Sequence, residues 1–349
     1  MENKKKWILN CILLLVITAF TLTVVLWEEN PKQFLVLLDM ANGWYWIGSA
    51  ILIFPFVACE SLILYLLLKN VNEKPRMGHC LIYSFIGFFF SSITPAAGGG
   101  QPAQVYYMHK DGLNPGVTTP ILIVVTMGYK LVLVIAGIVL FILRPASLVK
   151  MEPAGILWAS VGWVANVVIV SFFAILILFP AFVEKLCRKL LQIFGRYLKK
   201  ERTNRLQGKL DQAIEKYQTV SQCVKNNGFL MGIVIIISIV QRSILFSITW
   251  IVLQSFHIVR IPSLFEVILL QAMVSLGTDL IPLPGGSGAN EALFLLLFAD
   301  ICGEALDAPV LLASRGISYY GQLVLCGLMV AIFARKLGRN FRKKEVEIK

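Results

Sequence analysis

The chain has 349 residues, 57% of them hydrophobic and only 15% charged, with a mean hydropathy of +0.76. A water-soluble globular domain cannot hide that much apolar side chain, so composition excludes one. The formal net charge of +12 would suit a nucleic-acid binder, but the basic residues flank apolar runs, where the positive-inside rule and anionic lipid account for them; no nucleic-acid partner is expected.

Six runs approach or exceed the roughly 20 apolar residues that cross a hydrocarbon core about 30 Å thick. They are Trp7–Trp27, Trp44–Leu68, Val117–Leu143, Gly155–Pro180, Phe229–Leu253 and Pro309–Ala334. The first follows Lys4, Lys5 and Lys6, yet it is longer than a signal-peptide core and no small-x-small cleavage site follows, so it is expected to be retained. With those lysines inside, the second span returns to the cytoplasm at Lys69, Lys74 and Arg76. Residues 79–112 then carry an apolar arm, the stretch TPAAGGGQPAQ and a short polar arm, which predicts a hairpin broken within the membrane and entering from the cytoplasm. Two further spans lead to a strongly basic connector, 181–227, read as an amphipathic segment on anionic headgroups. After the fifth span a second broken element, 263–300, approaches from outside, and the last span leads to a basic cytoplasmic tail, 335–349. The expected fold class is thus an all-α polytopic membrane protein: one integral membrane domain over 1–349, with about six full spans and two broken helical hairpins related as an inverted repeat. Its halves are 1–180 and 228–334. The expected location is the plasma membrane, with both termini cytoplasmic.

Setting SSITPAAGGGQPAQ over TDLIPLPGGSGANE places Pro95 on Pro282, Gly98 on Gly285, Gly99 on Gly286 and Gln104 on Glu291. Inverted repeats with interrupted helices are a recurring construction of transporters. Backbone groups freed at membrane depth need protein or a water-filled cavity as partner. The amides at Gly98, Gly99, Gly285, Gly286 and Gly288 precede helical arms, where donors and dipole attract anions such as phosphate. Glu60, Lys130, Arg242, Asp279, Glu291 and Arg315 fall within or beside apolar segments and are expected to face a bundle interior or aqueous cavity, or to pair with one another. Arg242 is the sharpest, because mid-span it has no route to the interface. The predicted substrate site combines the loop amides, Gln101 and Gln104 with Arg242 and Arg315 on phosphate. Glu291 and Asp279 contact a cationic headgroup or titrate during exchange.

The seven cysteines form no CxxC pair, and His79, His109 and His257 show no ligand spacing, so no metal site is expected. No Walker loop, GxSxG elbow or dinucleotide fingerprint occurs, and no cofactor is expected.

At TPAAGGGQPAQVYYMHKDG and IPLPGGSGANE, and in its pattern of spans, the chain resembles the transmembrane region of the lysylphosphatidylglycerol synthase family, the flippase-like part of the multiple peptide resistance factor. The resemblance implies a helical bundle with paired re-entrant elements that moves a lipid or lipid-linked headgroup between leaflets. It points to Pro95, Gly98, Gly99, Gln101, Gln104, Pro284, Gly285, Gly286, Gly288 and Glu291. Full-length synthases append a soluble aminoacyl-transfer domain, whereas about fifteen residues follow the last span here. A lysyltransferase activity is therefore not expected of this chain. The expected partners are a phospholipid or lipid-linked substrate and anionic headgroups at the cytoplasmic face, with a separate synthase or a second copy left open. A membrane component of, or an enzyme in, lysylphosphatidylglycerol synthesis, linked to resistance against cationic antimicrobial peptides, is the alternative, and a scaffold with silent loops is the third reading.

Overall fold

A computed structural model describes residues 41–143, 153–195, 200–258, 261–279, 281–303 and 305–333. The expected first span, 7–27, and the tail, 335–349, lie outside the described residues. The helices are α1 (Gly43–Ile51), α2 (Ile53–Asn70), α3 (Met77–Ile93), α4 (Gly100–Lys110), α5 (Pro115–Leu143), α6 (Pro153–Leu178), α7 (Pro180–Gly195), α8 (Lys200–Asn226), α9 (Gly228–Ser255), α10 (Leu264–Thr278), α11 (Ala289–Cys302) and α12 (Asp307–Arg315). A π-helical stretch, Gly316–Gly321, follows α12, and helix continues to residue 333. No strand occurs among the described residues.

Five helical stretches are long and apolar enough to cross a bilayer: Gly43–Asn70, Pro115–Leu143, Gly155–Leu178, Gly228–Ser255 and Asp307–Phe333. The protein is a polytopic all-α membrane protein. The first of these stretches joins α1 to α2 across Leu52, where Pro55 cannot donate to the carbonyl of Ile51 and the ladder loosens.

Contacts at both ends fix the direction of the spans. At one end the amide of Asn42 donates to Ser255 O and Trp46 Nε1 to Ser255 Oγ, both at 3.1 Å. At the other, Asn227 Nδ2 donates to Asn70 Oδ1 at 2.9 Å. So α1–α2 runs antiparallel to α9. The first hairpin, α3–α4, begins just after Asn70, and the second, α10–α11, just after Ser255, so they enter from opposite ends of the bundle. Their broken tips, Pro95–Ala97 and Pro284–Gly286, touch each other. The expected inverted approach is therefore what the chain adopts.

The helices α2, α5 and α9, together with the hairpin arm α10, supply most of the buried apolar side chains, including Phe56, Leu64, Ile121, Ile248 and Leu270. In contrast, α6 sends Leu157, Val161, Val164, Val168, Phe172 and Ile175 outward, a stripe at three- and four-residue spacing that suits lipid. Its inner face is held by two indoles: Trp158 Nε1 donates to Gly277 O at 3.0 Å and Trp163 Nε1 to Val134 O at 3.1 Å. Gly162 lets α6 approach α10 so closely that a Cβ there would lie 2.2 Å from Leu276 O. The connector folds as α7 and α8, and α8 is fastened to the end of α6 by Tyr217 Oη donating to Leu176 O at 3.1 Å and by Ser221 Oγ donating to Ile177 O.

Because the obstacle at Gly162 is backbone, Gly162→Ala must push two helices apart, at an overpacking cost of about 1–3 kcal/mol. The melting midpoint of the purified protein is expected to fall by several degrees in a size-exclusion thermostability assay. Gly208→Ala, in the exposed interior of α8 with nothing within 4 Å, is expected to leave it unchanged or raise it, since Ala favours helix over Gly by up to about 1 kcal/mol. Equal responses would contradict the close α6–α10 packing.

Candidate functional site

Each tip is one tight turn opened by proline. The preceding residues have matching extended backbones, Thr94 at φ −116, ψ 145 and Leu283 at φ −114, ψ 147. Two left-handed residues follow in each case: Ala96 (φ 50) and Ala97 (φ 54), then Gly285 (φ 62) and Gly286 (φ 62). Conformation therefore matches Pro95 with Pro284, not with Pro282 as the glycines suggest. The corrected register pairs Gln101 with Asn290 and removes the expected match of Gln104 with Glu291. Left-handed backbone costs an alanine roughly 1–2 kcal/mol, so the first tip is held in place by its surroundings.

Those surroundings are specific. Thr94 Oγ1 accepts from the Gly99 amide at 2.9 Å and donates to Phe90 O at 2.6 Å. Tyr319 Oη, from the π-helical stretch, donates to Ser92 O at 2.8 Å. The second tip is clamped by an ion pair: Arg315 Nη2 donates to Gly285 O at 3.0 Å and to Ser287 Oγ at 3.2 Å, and Arg315 Nε lies 2.5 Å from Glu291 Oε1. The Nε contact is ionic and makes no aligned hydrogen bond. Glu291 Oε2 accepts from the Gly288 amide at 2.6 Å, capping α11. Arg315 and Glu291 are only 7% and 4% exposed, so both charges are spent on the loop. A Cβ at Gly285 would sit 2.3 Å from the Tyr319 ring, which locks the second tip against the residue that holds the first.

The two tips share a cavity of about 640 Å³, within the range of ligand sites. Ala97, Gly98, Gly285 and Gly286 border it, together with Gln101, Gln104 and Asn290. Four charged side chains border it: Glu60, Lys130, Arg242 and Asp279. Lys130 Nζ donates to Asp279 Oδ2 at 2.5 Å, joining α5 to the end of α10. Glu60 Oε1 accepts from Gln104 Nε2 at 2.8 Å, and that amide also donates to Tyr83 O at 3.2 Å. The Arg242 guanidinium lies 4.4 Å from the centroid of the Tyr129 ring, and its buried Nε has no hydrogen-bond partner. Gln101 Nε2 donates to Thr126 Oγ1. A smaller polar cavity of about 160 Å³, bordered by Thr249, Gln271, Ser314, Arg315 and Ser318, shares Asn290, Tyr319 and Gln322 with the larger one.

A family model matches residues 7–326, taking in both broken elements. The chain belongs to the lysylphosphatidylglycerol synthase TM region family. No curated protein matches it.

In this family member the expected site residues divide into two groups. Arg242, Asp279, Gln101, Gln104, Gly98, Gly285 and Gly286 border the larger cavity, whereas Gly99, Gly288 and Glu291 border neither and Arg315 borders only the smaller one. Several loop amides assigned to an anion are taken: Gly98 bonds Pro95 O, Gly99 bonds Thr94, Gly286 bonds Leu283 O and Gly288 bonds Glu291. Sequence reasoning missed Tyr129, Asn290 and Tyr319. The corrected register would have found Asn290. Tyr319 carries no signal until the hairpins are packed.

Removing one member of the Lys130–Asp279 pair strands the other charge, at up to about 3–5 kcal/mol for a buried pair. Lys130→Met or Asp279→Leu alone is expected to lower the melting midpoint markedly, and the double variant to recover most of the loss. Additive losses in that double-mutant cycle would show that the two do not act as a pair.

Proposed function

We propose that the protein is a flippase-like lipid translocator, in which the headgroup of a phospholipid or lipid-linked substrate occupies the larger cavity with its phosphate on Arg242. One observation carries the reading. Two hairpins entering from opposite ends of a membrane bundle jointly border a charged cavity whose Arg242 guanidinium has no ion-pair partner among the described residues. An arginine placed mid-span with no carboxylate in direct contact is costly, and a phosphate that enters the cavity relieves that cost. The family's description, which names lysylphosphatidylglycerol, supports a lipid substrate. The aminoacyl form of phosphatidylglycerol belongs among the candidates, as does a role in resistance to cationic peptides.

The site lies between two hairpins of opposite approach, so alternating exposure to the two leaflets needs only a small rearrangement of one hairpin against the other. No nucleotide-binding motif supplies work, and exchange runs downhill or coupled to an ion. The basic connector and the lysines of the amino terminus fit a plasma-membrane protein with both termini in the cytoplasm. The word synthase in the family's description favours a second reading, a membrane component of lysylphosphatidylglycerol synthesis. Transfer of lysine from charged tRNA to phosphatidylglycerol by the purified chain would establish that one instead.

In proteoliposomes containing acyl-labelled phosphatidylglycerol and phosphatidylethanolamine, Arg242→Ala is expected to slow leaflet exchange at least tenfold, the scale of one lost charge-assisted contact of about 1.5–3 kcal/mol. Arg242→Lys should retain part of the rate. Arg188→Ala, in the exposed connector, serves as control and should exchange normally. Unchanged exchange by a folded Arg242→Ala protein would refute the reading.

A further inference from the structure

Of the four charged side chains bordering the larger cavity, two neutralise each other. Lys130 and Asp279 form an ion pair at 2.5 Å. Arg242 and Glu60 carry opposite charges, and among the described residues neither has an ion-pair partner, in each other or elsewhere. Arg242 rests on the Tyr129 ring with a bare Nε. Glu60 is held at Oε1 by the amide of Gln104, which orients the carboxylate without neutralising it. The motif carboxylate, Glu291, is committed to Arg315 and Gly288 and borders neither cavity. After Asp279 is paired, Glu60 is the remaining carboxylate on the cavity wall.

Two opposite charges that attract across a poorly solvated wall without closing an ion pair are each incompletely compensated, and both costs fall together when a ligand brings one anion and one cation. A phosphodiester carrying a primary ammonium has that pattern. A phosphodiester carrying only hydroxyls answers Arg242 and leaves Glu60 stranded, so the wall itself discriminates between the two. We propose that Glu60 is the specificity-determining residue of the cavity, receiving the ammonium of an amine-bearing phospholipid headgroup whose phosphate lies on Arg242. Gln104 is its positioning residue: its amide fixes the carboxylate and is itself anchored on Tyr83 O at 3.2 Å. This assignment rests on the headgroup reading above.

The test is native mass spectrometry of the full chain in detergent micelles, titrated with dioctanoyl phosphatidylethanolamine and, separately, with dioctanoyl phosphatidylglycerol. The readout is the ratio of the two affinities. The unaltered chain is expected to favour the amine lipid by about tenfold, the scale of one charge-assisted contact. Glu60→Gln, nearly isosteric and still able to bond Gln104, should bring the ratio to within about twofold of unity, and Glu60→Asp should keep part of the preference. Arg242→Ala should weaken both lipids. Equal binding of the two lipids by the unaltered chain, or a ratio unmoved in Glu60→Gln, overturns the role of Glu60 while leaving the cavity as a headgroup site. Full-strength binding of both lipids by Arg242→Ala overturns the headgroup reading itself. Elution volume and melting midpoint matched to the unaltered chain establish that each variant is folded.

Discussion

A peptide group stripped of its hydrogen-bond partner in hydrocarbon costs several kcal/mol, and this chain breaks its backbone twice at the heart of a bundle of membrane-spanning helices. The rest of the structure follows from how those breaks are satisfied. At the second break one guanidinium does most of the work: Arg315 reaches Gly285 O and Ser287 Oγ while its charge is balanced by Glu291, whose other oxygen caps Gly288. At the first break no ion is used. The hydroxyl of Thr94 closes the loop on itself, and Tyr319 reaches across from the other half to take Ser92 O.

The two solutions are therefore linked. Tyr319 holds the first hairpin by its hydroxyl and packs its ring against Gly285 of the second, while Arg315, a turn earlier, stacks 4.9 Å over the same ring. Tyr319 stands in a π-helical stretch bounded by Gly316 and Gly321, and single π turns inside helices recur at functional sites. A shift of that stretch would move both hairpins at once, which gives the proposed alternating exposure a mechanical route. The charges divide accordingly. Arg315 and Glu291 maintain the loop, Lys130 and Asp279 join the two halves beside it, and Arg242 and Glu60 remain for the proposed headgroup.

Much of this was legible in the sequence, and the reasons differ by feature. The spans declare themselves because crossing hydrocarbon demands length and apolarity together, and five of the six expected runs fall on described helices that meet both requirements. The breaks declare themselves because proline and clustered glycine cannot sustain a helix. Their opposite approach follows from where lysine and arginine lie, and the contacts of Asn70 with Asn227 and of Asn42 with Ser255 agree with it. Register was not legible, because glycine identity misled: the left-handed positions of the second tip are glycines, while the same positions of the first are Ala96 and Ala97. Nor could sequence separate a charge that holds the loop from one that borders the cavity. Glu291 and Glu60 both look like buried carboxylates, and only the placement of Arg315 beside one and Gln104 beside the other tells them apart.

The central claim is that both tips lie within the bilayer on the wall of one polar cavity. Spin labels at Ala97→Cys and Leu283→Cys, placed singly in a chain whose seven native cysteines are replaced, test this most directly in lipid nanodiscs by relaxation with a water-soluble nickel chelate and with oxygen. Val168→Cys, on the lipid-facing stripe of α6, and Gly208→Cys, on the exposed connector, give the two reference limits. The account predicts that both tip labels are relaxed by the chelate, each less than Gly208 and far more than Val168. Tip labels that behave like Val168, reached by oxygen alone, or like Gly208, fully open to bulk water, would contradict it.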